Sequence, residues 1–553
     1  MANLAMLLPR LKFSIGLWFI LPLLLSPLIA LILMSLGEYT SSILGVDTAG
    51  LKIKSLVQMA QNSALLVLLT MLGSTVLGVS SAFLITLYDF PFRRTLSWML
   101  ALPLAMPSYV IAFVYTDLLE YAGPVQSGLR EIMAWQNARA YWFPDIRSLG
   151  GAATVLSLTF YPYIYLSLRT ALSEQSQSLF DAANTMGDSA LRRFWRISVP
   201  MLRPAFIAGL ALVAMETLAD FGTVNFFELN VLTKGLYDLA NNRGNLVAAA
   251  QLAVGTIALI FLFLWIEQYF RRHSYSLRHS EYKRKRRPLM LFKGLGALII
   301  CLIPFSLALF LPMLRLLFLA FGAEHMGISI AFFDALKNAF MIASIVCIIV
   351  LFTSFYVTLC QRFSTNNKRL AFLGTVITLG YAVPGLMLGL AVLIFQRVLD
   401  PILVDIAHFA FGYQEKRLLT GSIAAVLLAI TLRFFAYGYN NLNAGFLRIS
   451  PSIDAASKSL GDSNWQSIIK IFLPLLKNSF AVALLLVFIE AMKELPATLL
   501  LRPAGMQSLA TYVYDTASAG FLEEIAFGAL ILLILGIFPT IFLIKTGEKR
   551  GLS

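Results

Sequence analysis

Two pairs of acidic residues interrupt otherwise apolar sequence. Glu216 and Asp220 lie four apart, and so do Glu490 and Glu494, the two glutamates Glu216 and Glu490 being separated by 274 positions. Residues four apart share one face of a helix, so each pair presents two carboxylates side by side. A carboxylate inside a bilayer costs several kcal/mol and faces a cavity or a partner. The chemistry open to such groups is that of hard oxygen donors toward a hard cation. Four converging carboxylates would attract a cation and hold it briefly, because a pathway that binds tightly cannot release. Tyr163, Tyr165, Tyr437 and Tyr439 recur at the same offset of 274 and add phenolic oxygens. The alternatives are that Glu490 and Glu494 neutralise Lys493, that the carboxylates gate or hold the two halves together by hydrogen bonds, that they are incidentally exposed, and that the tyrosines are interfacial anchors.

The elements that must carry these groups are membrane helices. The chain has 553 residues, 59% hydrophobic and 13% charged, against roughly 25% charged in soluble domains. Runs long enough for a ~30 Å hydrocarbon core occupy 13–36, 63–87, 96–119, 150–172, 204–221 and 246–266, then 294–320, 339–360, 370–395, 421–439, 480–501 and 525–544. The expectation is an all-α integral membrane protein of twelve helices in two groups of six. The first run is too long for the apolar core of a signal peptide and reads as an uncleaved helix. The net charge of +14 gathers in loops of one parity, including Lys283 to Arg287, Arg93-Arg94 and Arg192-Arg193. Basic short loops stay cytoplasmic, which places both termini and the linker 267–293 inside. The charge reads as a topology signal with anionic-lipid contact, and nucleic acid is not an expected partner. Cys301, Cys347 and Cys360 lie in apolar runs, and the four histidines form no ligand spacing. No nucleophile–base constellation is visible, so an enzyme is the least favoured class.

A polar segment also occurs twice. Residues 181–204 read DAANTMGDSALRRFWRISVPMLRP and 454–477 read DAASKSLGDSNWQSIIKIFLPLLK, with Gly187 matching Gly461 and Pro200 matching Pro474 at the offset of 274. Each predicts a helix, a left-handed glycine turn and a second helix. Upstream, Pro107-Ser108 matches Pro384-Gly385, where a proline interrupts an apolar run and kinks it or lines a pathway. Six runs per unit, an even number, put the two halves in parallel orientation about an axis along the membrane normal. The expected domains are 1–266 with loop 179–203, the linker 267–293, and 294–553 with loop 453–477.

The repeated segment resembles the EAA loop of ABC-transporter permeases, through Asp181, Ala182, Ala183, Gly187, Ile197 and Pro200, and through Asp454, Ala455, Ala456, Gly461, Ile471 and Pro474. In the second copy Asp454 stands one position further from the glycine than that pattern asks. The segments ETLADFGTV (216–224) and EAMKELPATLLLRP (490–503) resemble those of ferric-iron permeases. The resemblance implies a type I importer permease of the bacterial inner membrane, with no cofactor of its own. Two ATP-binding cassette subunits carrying ATP and Mg would dock on the two loops, a periplasmic binding protein would deliver Fe3+, and the lipid bilayer would surround the chain. Thiamine, phosphonate, polyamine and sulfate are the alternative cargoes within the family. A secondary transporter with proton-carrying carboxylates is the alternative of another class. No G-x-x-x-x-G-K-[ST] phosphate loop occurs in the chain, so ATP hydrolysis is left to partner subunits.

Overall fold

The computed structural model describes residues 24–37, 53–175, 194–272, 286–322, 329–363, 379–412 and 417–550, with Thr185, Ser189 and Arg192. Among these, nine helices are long and apolar enough to cross a membrane, or ten if the bent pair Arg93–Ala105 and Ser108–Met133 is one span. Of the twelve spans expected, the described residues thus account for nine or ten. Run 96–119 is not one rod, because the chain turns by 92° within it. Of run 13–36 only 24–36 is described, and run 370–395 starts outside the described residues, its helix beginning at Gly385.

Five pairs of helices correspond across the repeat. In the first half they are α1 (Ile53–Leu87), α2 (Ser108–Leu119), α3 (Leu149–Ser173), α4 (Val199–Ala219) and α5 (Gly222–Phe226). In the second they are α6 (Ile330–Phe363), α7 (Gly385–Phe411), α8 (Ile423–Leu447), α9 (Leu473–Lys493) and α10 (Pro496–Leu501).

Proline sets the breaks. Pro107 sits at φ −60°, ψ 138° after the 3-10 turn Leu102–Ala105, and Met106 before it is extended. Pro384, at φ −55°, ψ 144°, follows the turn Leu379–Ala382 in the same way. A proline has no N–H and drives its predecessor out of helical backbone, so one helix stops and α2 or α7 starts afresh. A second proline acts differently. Pro200 and Pro474 follow π-helical turns at Phe194–Ser198 and Ile468–Phe472, as Pro312 follows one at Ser306–Phe310. The proline ring clashes with the carbonyl four residues back. A wider turn relieves that clash without ending the helix, and the segment Asn464–Lys493 therefore runs on as a 30-residue span.

The chain forms two compact units that do not follow the sequence halves. One holds 329–512 together with 1–50 and 236–254, and the other holds 51–235 with 255–328 and 513–553. Helices Leu291–Phe305 and Leu311–Gly322, from the second half of the sequence, thus pack in the unit built on α1 to α5. The all-helical expectation has one small exception: Tyr88–Asp89 and Arg287–Pro288 pair as a two-residue parallel ladder. That ladder fastens the end of the basic linker beside Arg93, which is bonded to Asp89 at 3.2 Å.

Candidate functional site

The second polar loop is fully described. Its first helix, Pro451–Ser459, starts on the N-cap Ser450, whose side chain accepts from the Ser452 amide. The helix ends where Gly461 takes φ +82°, a backbone that a glycine adopts without steric penalty. The Gly461 and Asp462 amides close the end on the Lys458 and Ser457 carbonyls, each at 3.1 Å. Ser463 and Gln466 then form a reciprocal capping box, which starts the next helix as two otherwise orphaned donors find partners. Lys470 reaches Asp462 at 3.1 Å, and the Ser457 and Ser467 hydroxyls meet at 2.7 Å across the turn.

This helix pair is seated on its own unit. Ile468, Phe472 and Leu476 are buried with Leu359, Phe446 and Ile449, and Ile453 and Ile471 pack against them. Arg362, near the end of α6, bonds Asp454 at 2.9 Å and the Ile449 carbonyl at 2.9 Å. The shifted acid therefore faces inward and anchors the loop. What faces outward is apolar: Leu460 is 84% exposed, Trp465 67% and Ile469 48%. Ala455, Ala456, Gly461 and Pro474 are also exposed. In the first copy, Asp181, Ala182, Ala183 and Gly187 lie outside the described residues. Ile197 is half-buried and Pro200 exposed, as are their counterparts Ile471 and Pro474, and Trp195, opposite number of Ile469, is 64% exposed.

The carboxylates divide into two kinds. Asp220 follows α4 and is buried, accepting from the Thr223 amide at 3.0 Å, the Val224 amide at 3.3 Å and the Thr223 hydroxyl at 3.3 Å. Glu494 follows α9 and is buried, accepting from the Ala497 amide at 3.0 Å, the Thr498 amide at 2.9 Å and the Thr498 hydroxyl at 2.7 Å. Each is the cap of the short helix that follows it, α5 or α10. Two or three donors satisfied by one carboxylate, at a positive helix end, hold that helix at a fixed angle to the long one. Each cap is also gripped from a further helix: Ser108, the first residue of α2, donates to Asp220, and Arg433 of α8 donates to Glu494 at 3.2 Å.

Glu216 and Glu490 are left half-buried on the long helices. The Tyr163 hydroxyl lies 3.5 Å from Glu216, and Lys493 pairs with Glu490 at 3.0 Å. Lys493 thus engages Glu490, and Glu494 takes Arg433. Tyr165 and Tyr439 are buried and make helix-to-helix bonds, to the Ser97 carbonyl at 2.7 Å and to Gln361 at 2.9 Å. Tyr437 is half-buried and stacks on Phe434. Among the described residues no group of three or more His, Cys, Asp or Glu is placed to hold a metal ion. The Glu216 pair and the Glu490 pair belong to different compact units.

Arg433, Ser108 and Arg362 were not singled out by the sequence reading for these contacts. Arg433 carried a signal nonetheless, being a charge inside the apolar run 421–439, and such a charge needs a partner. The caps were legible too. Pro496 stands two residues after Glu494, and Thr223 three after Asp220; a carboxylate before a first-turn proline is a helix-start signature.

Comparison with known proteins bears on the whole chain. The family model for a binding-protein-dependent transport system inner membrane component matches residues 74–274 and again 359–550. The Fe(3+)-transport system permease protein FbpB 2 of Haemophilus influenzae is 24% identical over 88% of this chain and 89% of its own length. The ferric transport system permease protein FbpB of Actinobacillus pleuropneumoniae is 24% identical over 81% of this chain and 65% of its own. The molybdenum transport system permease protein ModB of Escherichia coli is 26% identical over 37% of this chain and 89% of its own. With the family model matched twice, on segments that each contain one polar loop and one capped carboxylate, the chain belongs to the binding-protein-dependent transport system inner membrane components, as a multi-pass permease that is itself a transport subunit and not a catalytic one.

Proposed function

We propose that this permease moves ferric iron from a periplasmic binding protein into the cytoplasm, driven by two ATP-binding cassette subunits. The observation that carries the cargo is the extent of similarity. The relative named for Fe(3+) transport aligns along 88% of this chain and 89% of its own, so both halves are matched in one protein, whereas the shorter one named for molybdenum matches 37% of the chain. The two polar loops seat the ATPase subunits, the second through its exposed Leu460, Trp465 and Ile469. Both termini and the linker lie in the cytoplasm, in keeping with the basic residues of those loops.

Along the pathway, the carboxylates that remain for the cargo are Glu216 and Glu490. Asp220 and Glu494 are saturated by helix ends and serve geometry, although all four belong to the ring the sequence suggests. A half-buried carboxylate beside a tyrosine hydroxyl or a lysine offers one or two oxygens to a passing cation. That is weak enough for release.

The test is uptake by the complex reconstituted in lipid vesicles with ATPase subunits and binding protein. Binding protein loaded with ferric iron stimulates ATP hydrolysis and fills the vesicles with iron, and protein loaded with sulfate or molybdate does neither. Stimulation by the oxyanions in place of iron would overturn the cargo. The Glu216→Gln, Glu490→Gln double variant lowers iron uptake at least tenfold. Undiminished uptake in that variant would remove both residues from the pathway.

A further inference from the structure

The two caps solve one problem with different residues, and the difference is concerted. In the first half Ser108 donates to Asp220. The matching position in the second half is Gly385, which follows Pro384 as Ser108 follows Pro107. A side chain there would displace the pair: a Cβ on Gly385 would lie 2.0 Å from the Arg433 guanidinium and 2.7 Å from a Glu494 oxygen, so both side-chain ends would have to shift. The space that Ser108 occupies in one half is filled by Arg433 in the other. Arg433 in turn corresponds, at the offset of 274, to Thr159, whose hydroxyl turns back onto the Val155 carbonyl of its own helix at 2.9 Å. The acid changes as well, from Asp220 to the longer Glu494. Three positions on three helices have therefore exchanged together, from Ser, Thr and Asp to Gly, Arg and Glu.

The exchange moves the grip from one helix to another. Asp220 is tied to α2, the helix after the proline break. Glu494 is tied to α8, by a charge-assisted bond in which the carboxylate is fully buried and the arginine mostly so. The arginine brings a formal opposite charge to the carboxylate, which the Ser108 hydroxyl does not, and in a site of low dielectric that charge counts for more. We propose that Arg433 is a positioning residue of the transport cycle. It holds Glu494, and through it the short helix α10 and the loop that follows, in register with α8, a task that the Ser108 hydroxyl performs from α2 in the other half.

The experiment uses the full chain with its ATPase subunits in lipid vesicles, and reads ATP hydrolysis with and without loaded binding protein. Arg433→Thr lowers the stimulated rate about tenfold and lowers the ratio of stimulated to basal rate with it, a ratio that simple loss of folded protein leaves unchanged. Gly385→Ser alone acts in the same direction, because its side chain pushes the guanidinium away from Glu494. The triple variant Gly385→Ser, Arg433→Thr, Glu494→Asp rebuilds the first-half arrangement and restores the ratio to within about threefold of the parent. A triple variant no better than Arg433→Thr overturns the proposal, and so does Arg433→Thr with an unchanged ratio. Where Arg433→Thr fails to accumulate in the membrane, accumulation is the readout: recovery in the triple variant supports the exchange, and its absence refutes it.

Discussion

An arginine–carboxylate pair stands near each end of the rod Asn464–Lys493, and the two pairs differ in setting. Beside the loop end, Arg362 and Asp454 meet at 2.9 Å with side chains 15% and 22% exposed. At the far end, Arg433 and Glu494 meet at 3.2 Å with Arg433 23% exposed and Glu494 wholly buried. The first fastens a surface loop whose outward residues are apolar and unburied. The second fixes the angle between a long helix and a short one in the interior. In the first pair both partners keep partial access to water, whereas in the second the carboxylate has none, so halving the second costs more than halving the first.

That contrast can be broken at either end. The largest effect is expected from Glu494→Ala, which strands Arg433 and removes three bonds from the start of α10. A loss of about 3–5 kcal/mol is expected, seen as a lowered melting temperature of the purified permease. A melting temperature as high as the parent's would show that the far pair is dispensable. Next comes the docking face proposed for the second loop. Leu460→Glu with Trp465→Glu should cut co-purification of the ATPase subunit at least tenfold, because buried aromatic and aliphatic anchors dominate interfaces. The melting temperature should stay level, as both side chains are exposed. Gly461→Ala forces a methyl-bearing residue into left-handed backbone and should cost about 1 kcal/mol, read as weaker ATPase coupling with little change in the far half of the rod. The smallest effect is that of Asp454→Asn, about 1 kcal/mol or less. A coupling defect larger than that of Gly461→Ala would place Asp454 in the docking contact itself and not in the anchor.

Much of this arrangement is written locally. The offset of 274 located both polar loops and both acidic pairs, and a glycine flanked by helix formers announced the turn that Gly461 makes. A slightly larger offset, 277, matched Pro107 with Pro384, but a proline within an apolar run fits either a kink or a full stop. The 92° turn depends on what the restarted helix packs against. Asp220 and Glu494 read as pathway ligands because a carboxylate in apolar sequence invites a functional reading. Their capping duty rests on the two to four residues that follow, and Pro496 signalled it. The Arg433–Glu494 bond joins residues 61 apart, which no local pattern encodes. The π-helical turns before Pro200, Pro474 and Pro312 were likewise hidden, since proline at the start of a helix ordinarily needs no widened turn.

The mixing of sequence segments between the compact units carries a consequence for biosynthesis. The unit built on residues 51–235 also needs 513–553, so it stays incomplete while nearly three hundred further residues are translated. At about 5–20 residues per second, that is a delay of roughly a quarter of a minute to a minute. A chain cut short before residue 513 would therefore lack a part of the unit built on 51–235.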